Sequence, residues 1–204
     1  GLVIVNVANK INPAKVLEVA DPFGCDAVAL SGDKVWLANK DDGVFAMDVA
    51  VPATPQRLGT FDDCGVPTAV AVKDNVLYVA TSEAGLQVAD LLQQDDGSHY
   101  TRLGQCDTAG NALGVALAGD HAYIADGPGG LAVVSIHDPA MPELITTAAT
   151  AGNAEAIALA GSYAFVAEGA AGVEIFSVTT PGNPVWVGAY NTAGNASSVF
   201  VSGG

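Results

Sequence analysis

Apolar residues recur along this chain in short alternating runs rather than in long stripes. One set reads Asp-Ala-Val-Ala-Leu at 26–30, Thr-Ala-Val-Ala-Val at 68–72, Leu-Gly-Val-Ala-Leu at 113–117 and Glu-Ala-Ile-Ala-Leu at 155–159. Ser-Ser-Val-Phe-Val at 197–201 keeps the same beat. The five starts lie 42, 45, 42 and 42 residues apart. A polar turn follows each of the first four, then a second run: Val-Trp-Leu-Ala at 35–38, Leu-Tyr-Val-Ala at 77–80, Ala-Tyr-Ile-Ala at 122–125 and Ala-Phe-Val-Ala at 164–167. A third run led by glycine begins at Gly43, Gly85, Gly130 and Gly172. A Pro-rich turn usually comes next, then a weaker fourth run such as 56–61 or 185–190. Gly-Asn-Ala at 110–112, 152–154 and 194–196 leads into the next unit.

Runs this short, bounded by Gly, Pro, Asn and Asp, read as strands. No amphipathic helix of roughly 10–15 residues separates them, which excludes a βαβ array. Four strands in a unit of about 42 residues is the size of a propeller blade. A β-helix repeat would be shorter, and an immunoglobulin-like pair would not repeat so evenly.

Three stretches carry a resemblance to a known family. Gly-Leu-Val-Ile-Val-Asn at 1–6 resembles the signature of the LVIVD repeat, as does Gly-Leu-Ala-Val-Val at 130–134. Ala-Leu-Ala-Gly-Asp-His-Ala-Tyr-Ile-Ala-Asp at 116–126 does so too. The resemblance spans essentially the whole chain. It implies a β-propeller and an extracellular or cell-surface setting, and it brings no catalytic motif.

Aligned on this unit, Gly1 takes the place of Gly43, Gly85, Gly130 and Gly172, residues 15–20 supply a fourth strand, and 197–201 a first strand. The expected fold is therefore all-β: one propeller domain over 1–204 with five blades, at 23–64, 65–109, 110–151, 152–193, and 194–204 together with 1–22. The fifth blade is closed by both termini and lacks its second strand, roughly nine residues, leaving about 19 strands. Either that segment is disordered, excised or supplied by another chain, or the sequence is a stretch of a longer propeller. An open inner edge would expose unpaired backbone groups and invite strand addition from another chain.

Charge narrows the list of partners. The formal net charge is -15, from 22 acidic and 7 basic residues. Nucleic acid and anionic membrane surfaces want clustered Lys and Arg, and are not expected. No apolar run approaches the roughly 18 residues of a membrane helix. Cations, glycans or a protein partner fit the balance better.

In a propeller, the fourth-to-first and second-to-third connections share one face. That rule gathers half of the acids there: Asp21, Asp26, Asp41, Asp42, Asp62, Asp63, Glu83, Asp107, Asp126, Glu155 and Glu168, with Lys40 as the clear basic exception. A cation site is one reading, Ca²⁺ above all, because that ion takes carboxylate and carbonyl oxygens. Its candidate ligands are Asp26, Asp62, Asp63, Asp107, Asp126, Glu155 and Glu168. Solvated loop acids are the other reading.

The first strands line the channel, and their leading positions are Asp26, Thr68, Leu113, Glu155 and Ser197. Asp26 and Glu155 are the candidates for acid–base chemistry in a hydrolase or lyase. Their mixed neighbours favour a non-catalytic binding module on the acidic face, and a purely structural spacer is the third reading. Asn111, Asn153 and Asn195 read as turn residues.

Cys25, Cys64 and Cys106 fall near fourth-to-first connections. A disulfide between neighbouring blades, Cys64–Cys106 or Cys25–Cys64, competes with free thiols. His99, His121 and His137 are expected on the lower face, away from the acids. The 45-residue unit carries an insertion around Asp95-Asp96-Gly97, read as an extended hairpin turn.

Overall fold

The computed structural model describes residues 2–19, 24–94 and 98–202. Its strands fall into five antiparallel sheets, each running in chain order. Strands β1 (Leu2–Asn6) and β2 (Ala14–Val19) form a two-stranded sheet. Sheet I holds β3 (Ala27–Ser31), β4 (Lys34–Asn39), β5 (Gly43–Asp48) and β6 (Gln56–Phe61). Sheet II holds β7 (Pro67–Lys73), β8 (Val76–Thr81), β9 (Gly85–Gln94) and β10 (Tyr100–Cys106). Sheet III holds β11 (Gly114–Ala118), β12 (His121–Ala125), β13 (Leu131–Ser135) and β14 (Glu143–Ala148). Sheet IV holds β15 (Ala156–Ala160), β16 (Tyr163–Ala167), β17 (Val173–Ser177) and β18 (Val185–Tyr190).

The strand expected at 197–201 is absent: the described residues carry 18 strands, not about 19. In sheets I to IV a first strand pairs with the second strand of its own unit. The last unit has no second strand among the described residues, so 197–201 has no ladder to join. Its approach is nonetheless anchored, since Ala196 and Gly169 exchange backbone hydrogen bonds of 2.8 and 3.1 Å.

The sheets stack face to face through four apolar layers. Trp36, Ala38, Val44 and Ala46 of sheet I meet Val70, Leu77, Val79 and Ala89 of sheet II. Tyr78, Ala80, Leu86 and Val88 meet Ala122, Ile124 and Val134 of sheet III. Tyr123, Ala125, Leu131 and Val133 meet Ala164, Val166 and Phe176 of sheet IV. The far face of sheet I, with Val35, Leu37, Phe45 and Met47, takes Leu2 and Val19 of the two-stranded sheet. Successive residues of a strand point to opposite faces, so each second strand feeds two layers at once. Fully burying one such side chain contributes about 1.5–3 kcal/mol.

The glycine that leads each third strand is fixed by backbone geometry. Gly43, Gly85, Gly130 and Gly172 have φ of 83, 65, 81 and 93°. A Cβ at these positions would strike the carbonyl oxygen of Phe61, Cys106, Ala148 or Tyr190, which ends the neighbouring fourth strand. Both the left-handed conformation and the close approach require glycine.

None of the three cysteines forms a disulfide. The expected Cys64–Cys106 or Cys25–Cys64 bridges are therefore corrected. Cys64 packs in the layer between sheets I and II, and Cys106 in the layer between II and III, so sheet II lies between them. Cys25 packs at the far face of sheet I. Burial pushes the Cys64 thiol up to about 12, so it stays protonated and donates to the Phe61 carbonyl at 3.3 Å.

The insertion lengthens β9 to ten residues, against five or six in the other third strands. Residues 95–97 lie outside the described residues. The chain just beyond them reaches the preceding sheet, where Ser98 accepts a hydrogen bond of 2.8 Å from the Thr60 amide.

Candidate functional site

The ladder registers place the ends of second and fourth strands at one edge of each sheet, beside the starts of first and third strands. Asp26, Asp41, Asp42, Asp62, Asp63, Glu83, Asp107, Asp126, Glu155 and Glu168 all belong to connections at that edge. Asp21 lies outside the described residues. Two of the acids have basic partners that the sequence had set elsewhere: Arg102 Nη2 lies 2.8 Å from Asp63 Oδ1, and His99 Nε2 lies 3.5 Å from Asp62 Oδ2. His99 is thus not remote from the acids. The long hairpin of sheet II carries it across to sheet I. His137 pairs instead with Asp120, at 3.3 Å, beside Lys73.

The five leading positions meet in one cavity of about 330 Å³. Asp26, Thr68, Leu113, Glu155 and Ser197 line it, together with Lys40 and Asn153. Lys40 Nζ sits 3.3 Å from Asp26 Oδ1. The Thr68 hydroxyl is spent on the fold, where it lies 2.6 Å from the Ala112 carbonyl and 2.9 Å from that of Ala80. The Glu155 carboxylate lies over Gly169, whose missing side chain leaves room for it. The mouth therefore presents one carboxylate in an ion pair with Lys40 and a second, Glu155, that makes no ion pair among the described residues.

Two of the candidate metal ligands have a different task. Asp126 and Glu168 stand at the ends of β12 and β16 and are buried. Asn39 and Thr81 hold the same place in the repeat as the last residues of β4 and β8, and are buried as well. Each clamps a connection. Asn39 Oδ1 accepts from the amides of Asp41 and Asp42 at 2.8 and 3.2 Å. Thr81 donates to the Gly85 carbonyl at 3.1 Å. Asp126 accepts from the Thr108 hydroxyl at 2.6 Å and the Gly110 amide at 2.8 Å, while burial pushes its pKa up. Glu168 accepts from the Gly152 amide at 3.0 Å. The signal was in the sequence, as a polar residue after the Ala that ends each second strand.

Glu168 also faces a second buried acid. Glu174 accepts from the Trp186 indole at 2.9 Å and from the Ala151 amide at 3.2 Å. Burial first, then the hydrogen bond and charge of Glu174, push Glu168 up to about 7. Its Oε1 has no partner as a carboxylate. A proton there turns it into a donor toward Glu174. This coupled pair is sealed in sheet IV, not open at the mouth. Among the described residues, no group of three or more His, Cys, Asp or Glu is placed to hold a metal ion.

A stack of four-stranded antiparallel sheets with this unit defines an all-β repeat protein of the propeller type. The LVIVD repeat matches residues 65–108, 109–150 and 151–192, more than half of the chain, which belongs to that family. Two computationally designed proteins of known crystal structure share the fold. Ika8 aligns with a TM-score of 0.65 at 16% identity over 83% of this chain and 50% of its own. Ika4 aligns with a TM-score of 0.63 at 16% identity over 78% of this chain and 93% of its own. The chain thus spans half the length of Ika8. No curated protein matches the sequence.

Proposed function

We propose that the chain is a five-bladed propeller whose fifth blade joins β1 and β2 to the segment after Ala196, and that it works as a non-catalytic binding module through its channel mouth. The blades are those of the 42-residue unit, at 23–64, 65–109, 110–151, 152–193, and 194–204 with 1–22. Two placements support closure. Ser197 lines the mouth with the leading residues of the four complete sheets. Val201 lines, with Leu159, Tyr163 and Phe165 of sheet IV, a cavity of about 770 Å³ on the side where a next blade would sit.

The observation that carries the binding reading is Glu155, a carboxylate at the mouth that makes no ion pair among the described residues, while Lys40 in the same cavity is held by Asp26. It suits the ammonium or guanidinium group of a basic protein partner, drawn in by the surrounding acids. Calorimetric titration with oligolysine and oligoglutamate tests this. Oligolysine alone should bind, more weakly with rising salt, and Glu155→Gln should reduce the affinity several-fold. Equal binding of both oligomers, or an unchanged Glu155→Gln variant, would overturn it. Thermal melts in Ca²⁺ and in EDTA test the cation alternative, which requires a raised midpoint with Ca²⁺.

A further inference from the structure

The connection from sheet III to sheet IV is fastened by two acids at once. The Ala151 amide donates to Glu174 at 3.2 Å, and the Gly152 amide to Glu168 at 3.0 Å. The backbone sits close on this clamp, since a Cβ at Gly152 would strike the Glu168 carbonyl oxygen. Just beyond, Ala154 and Gly127 exchange backbone hydrogen bonds of 2.9 and 3.0 Å, and the Glu155 amide donates to the Ala167 carbonyl at 2.8 Å. Ala154 and Glu155 are thus held by backbone bonds. Residues 150–153 depend on the two carboxyl groups, and Asn153 lines the mouth.

The preceding connection has the same clamp without that dependence. Asp126 Oδ1 accepts from the Thr108 hydroxyl and Oδ2 from the Gly110 amide, so both oxygens are satisfied as a carboxylate. Sheet IV differs in two respects. Thr150, at the place of Thr108 in the repeat, turns its hydroxyl to the Gly152 carbonyl at 2.9 Å. Glu174 stands where sheet III has Ala132. Glu168 Oε1 is therefore buried without a donor, next to a second acid. A proton on Oε1 supplies the missing donor and removes one of two facing charges.

The charge that acts on Glu168 is that of Glu174. Residues 103–204 hold no Lys or Arg. His121, Glu143 and Tyr163 align at the opposite edge of sheets III and IV, where Asp120 pairs with His137 and Asp138 caps the next turn. At the near edge, Asp107 and Asp126 belong to the preceding connection, Glu155 lies over Gly169, and Tyr190 is exposed. Tyr123 is buried in the layer between the sheets, and burial pushes its hydroxyl up.

We propose that Glu168 and Glu174 form a proton-operated latch on residues 150–153, closed while Glu168 carries its proton and released when it ionises. With both acids charged, Oε1 becomes an unpaired buried charge facing another, and the pair separates by giving up the Ala151 or Gly152 amide. Glu174 has the easier way out, because the Trp186 indole that it holds is 55% exposed. Glu168 keeps its proton up to about pH 7, so the latch is closed in mild acid and opens through neutrality. Its effect on binding rests on the mouth being the binding site, whereas the latch itself is tested on the free chain.

Amide exchange of the full chain, read by NMR as protection factors that correct for the intrinsic rate, tests the latch at about pH 6 and about pH 8. Protection of Ala151 and Gly152 should fall at least ~10-fold between them, while Gly110 and Ala154 change by less than ~3-fold. In Glu168→Gln, whose side-chain amide donates to Glu174 at either pH, Ala151 and Gly152 should keep their protection. If that variant does not fold, the wild-type Glu168 carboxyl carbon, followed by NMR, should titrate with the same midpoint as the loss of protection. Unchanged protection in the wild type, an equal loss at Gly110 and Ala154, a Glu168→Gln chain that loosens as the wild type does, or a carboxyl midpoint apart from that loss would overturn the latch. Oligolysine enters none of these measurements, so the latch and the binding reading can each fail alone.

Discussion

Replacing Glu168 by Gln should remove the loss of stability that sheet IV suffers at high pH. In the wild type, Glu168 binds its proton more tightly when folded than the ordinary glutamate value of 4.5, with a pKa of about 7 caused by burial and by Glu174. A raised carboxyl pKa favours the protonated fold. Its stabilisation is complete below about pH 4.5 and is lost as the pH climbs through about 7. A rise of that size corresponds to about 3 kcal/mol across the interval. Gln keeps the carbonyl that accepts from Gly152 and gains an amide that donates to Glu174, without an ionisation to pay for. At pH 8 the variant should melt about 5–10 °C above the wild type, given about 2–4 °C per kcal/mol in a chain of this size. At pH 4 the two should agree within about 2 °C. Circular-dichroism melts from pH 4 to 8 measure both. Parallel pH profiles, or a Glu168→Gln variant less stable at pH 8, would refute the raised pKa of Glu168.

Three further outcomes test the packing. Trp36→Ala should cost about 3–5 kcal/mol, and Phe165→Ala, at the same place in the repeat but half-buried, about 1–2 kcal/mol. Equal losses in urea denaturation would mean that sheet IV is covered as fully as sheet I. Gly130→Ala should cost at least about 2–3 kcal/mol, since its Cβ meets the Ala148 carbonyl, whereas Gly161→Ala, at φ 55° with open space around it, should cost about 1–2 kcal/mol. Matching melts for those two variants would remove the steric argument. Lys40→Met should change stability by less than about 1 kcal/mol, because the Lys40–Asp26 pair is largely exposed, and a larger loss in the same assay would contradict that.

Much of this was legible in the sequence because a blade writes each strand with its own punctuation. Positive-φ glycines mark the third strands, polar turns mark the hairpins, and the 42-residue beat aligns the leading residues that meet at the mouth. The errors share one cause. A repeat reports where a residue enters the fold, not which neighbouring unit its side chain reaches. His99 looked remote from the acids until the long β9–β10 hairpin brought it to Asp62. Cys64 and Cys106 looked adjacent by unit, yet they enter layers on opposite sides of sheet II. Asp126 and Glu168 looked like solvent-facing ligands because their connections are at the acidic edge, while their carboxylates turn inward to hold Gly110 and Gly152.

The same logic explains why the last unit departs from the pattern. A strand exists by virtue of its ladder, and 197–201 has the composition of a first strand with no second strand to pair with among the described residues. Val28 and Leu30 carry the matching cost on the other side of sheet I, as exposed apolar surface where Val70 and Val72 are covered. Each anomaly, one of backbone and one of side chains, is a repeat position that has no neighbouring second strand among the described residues.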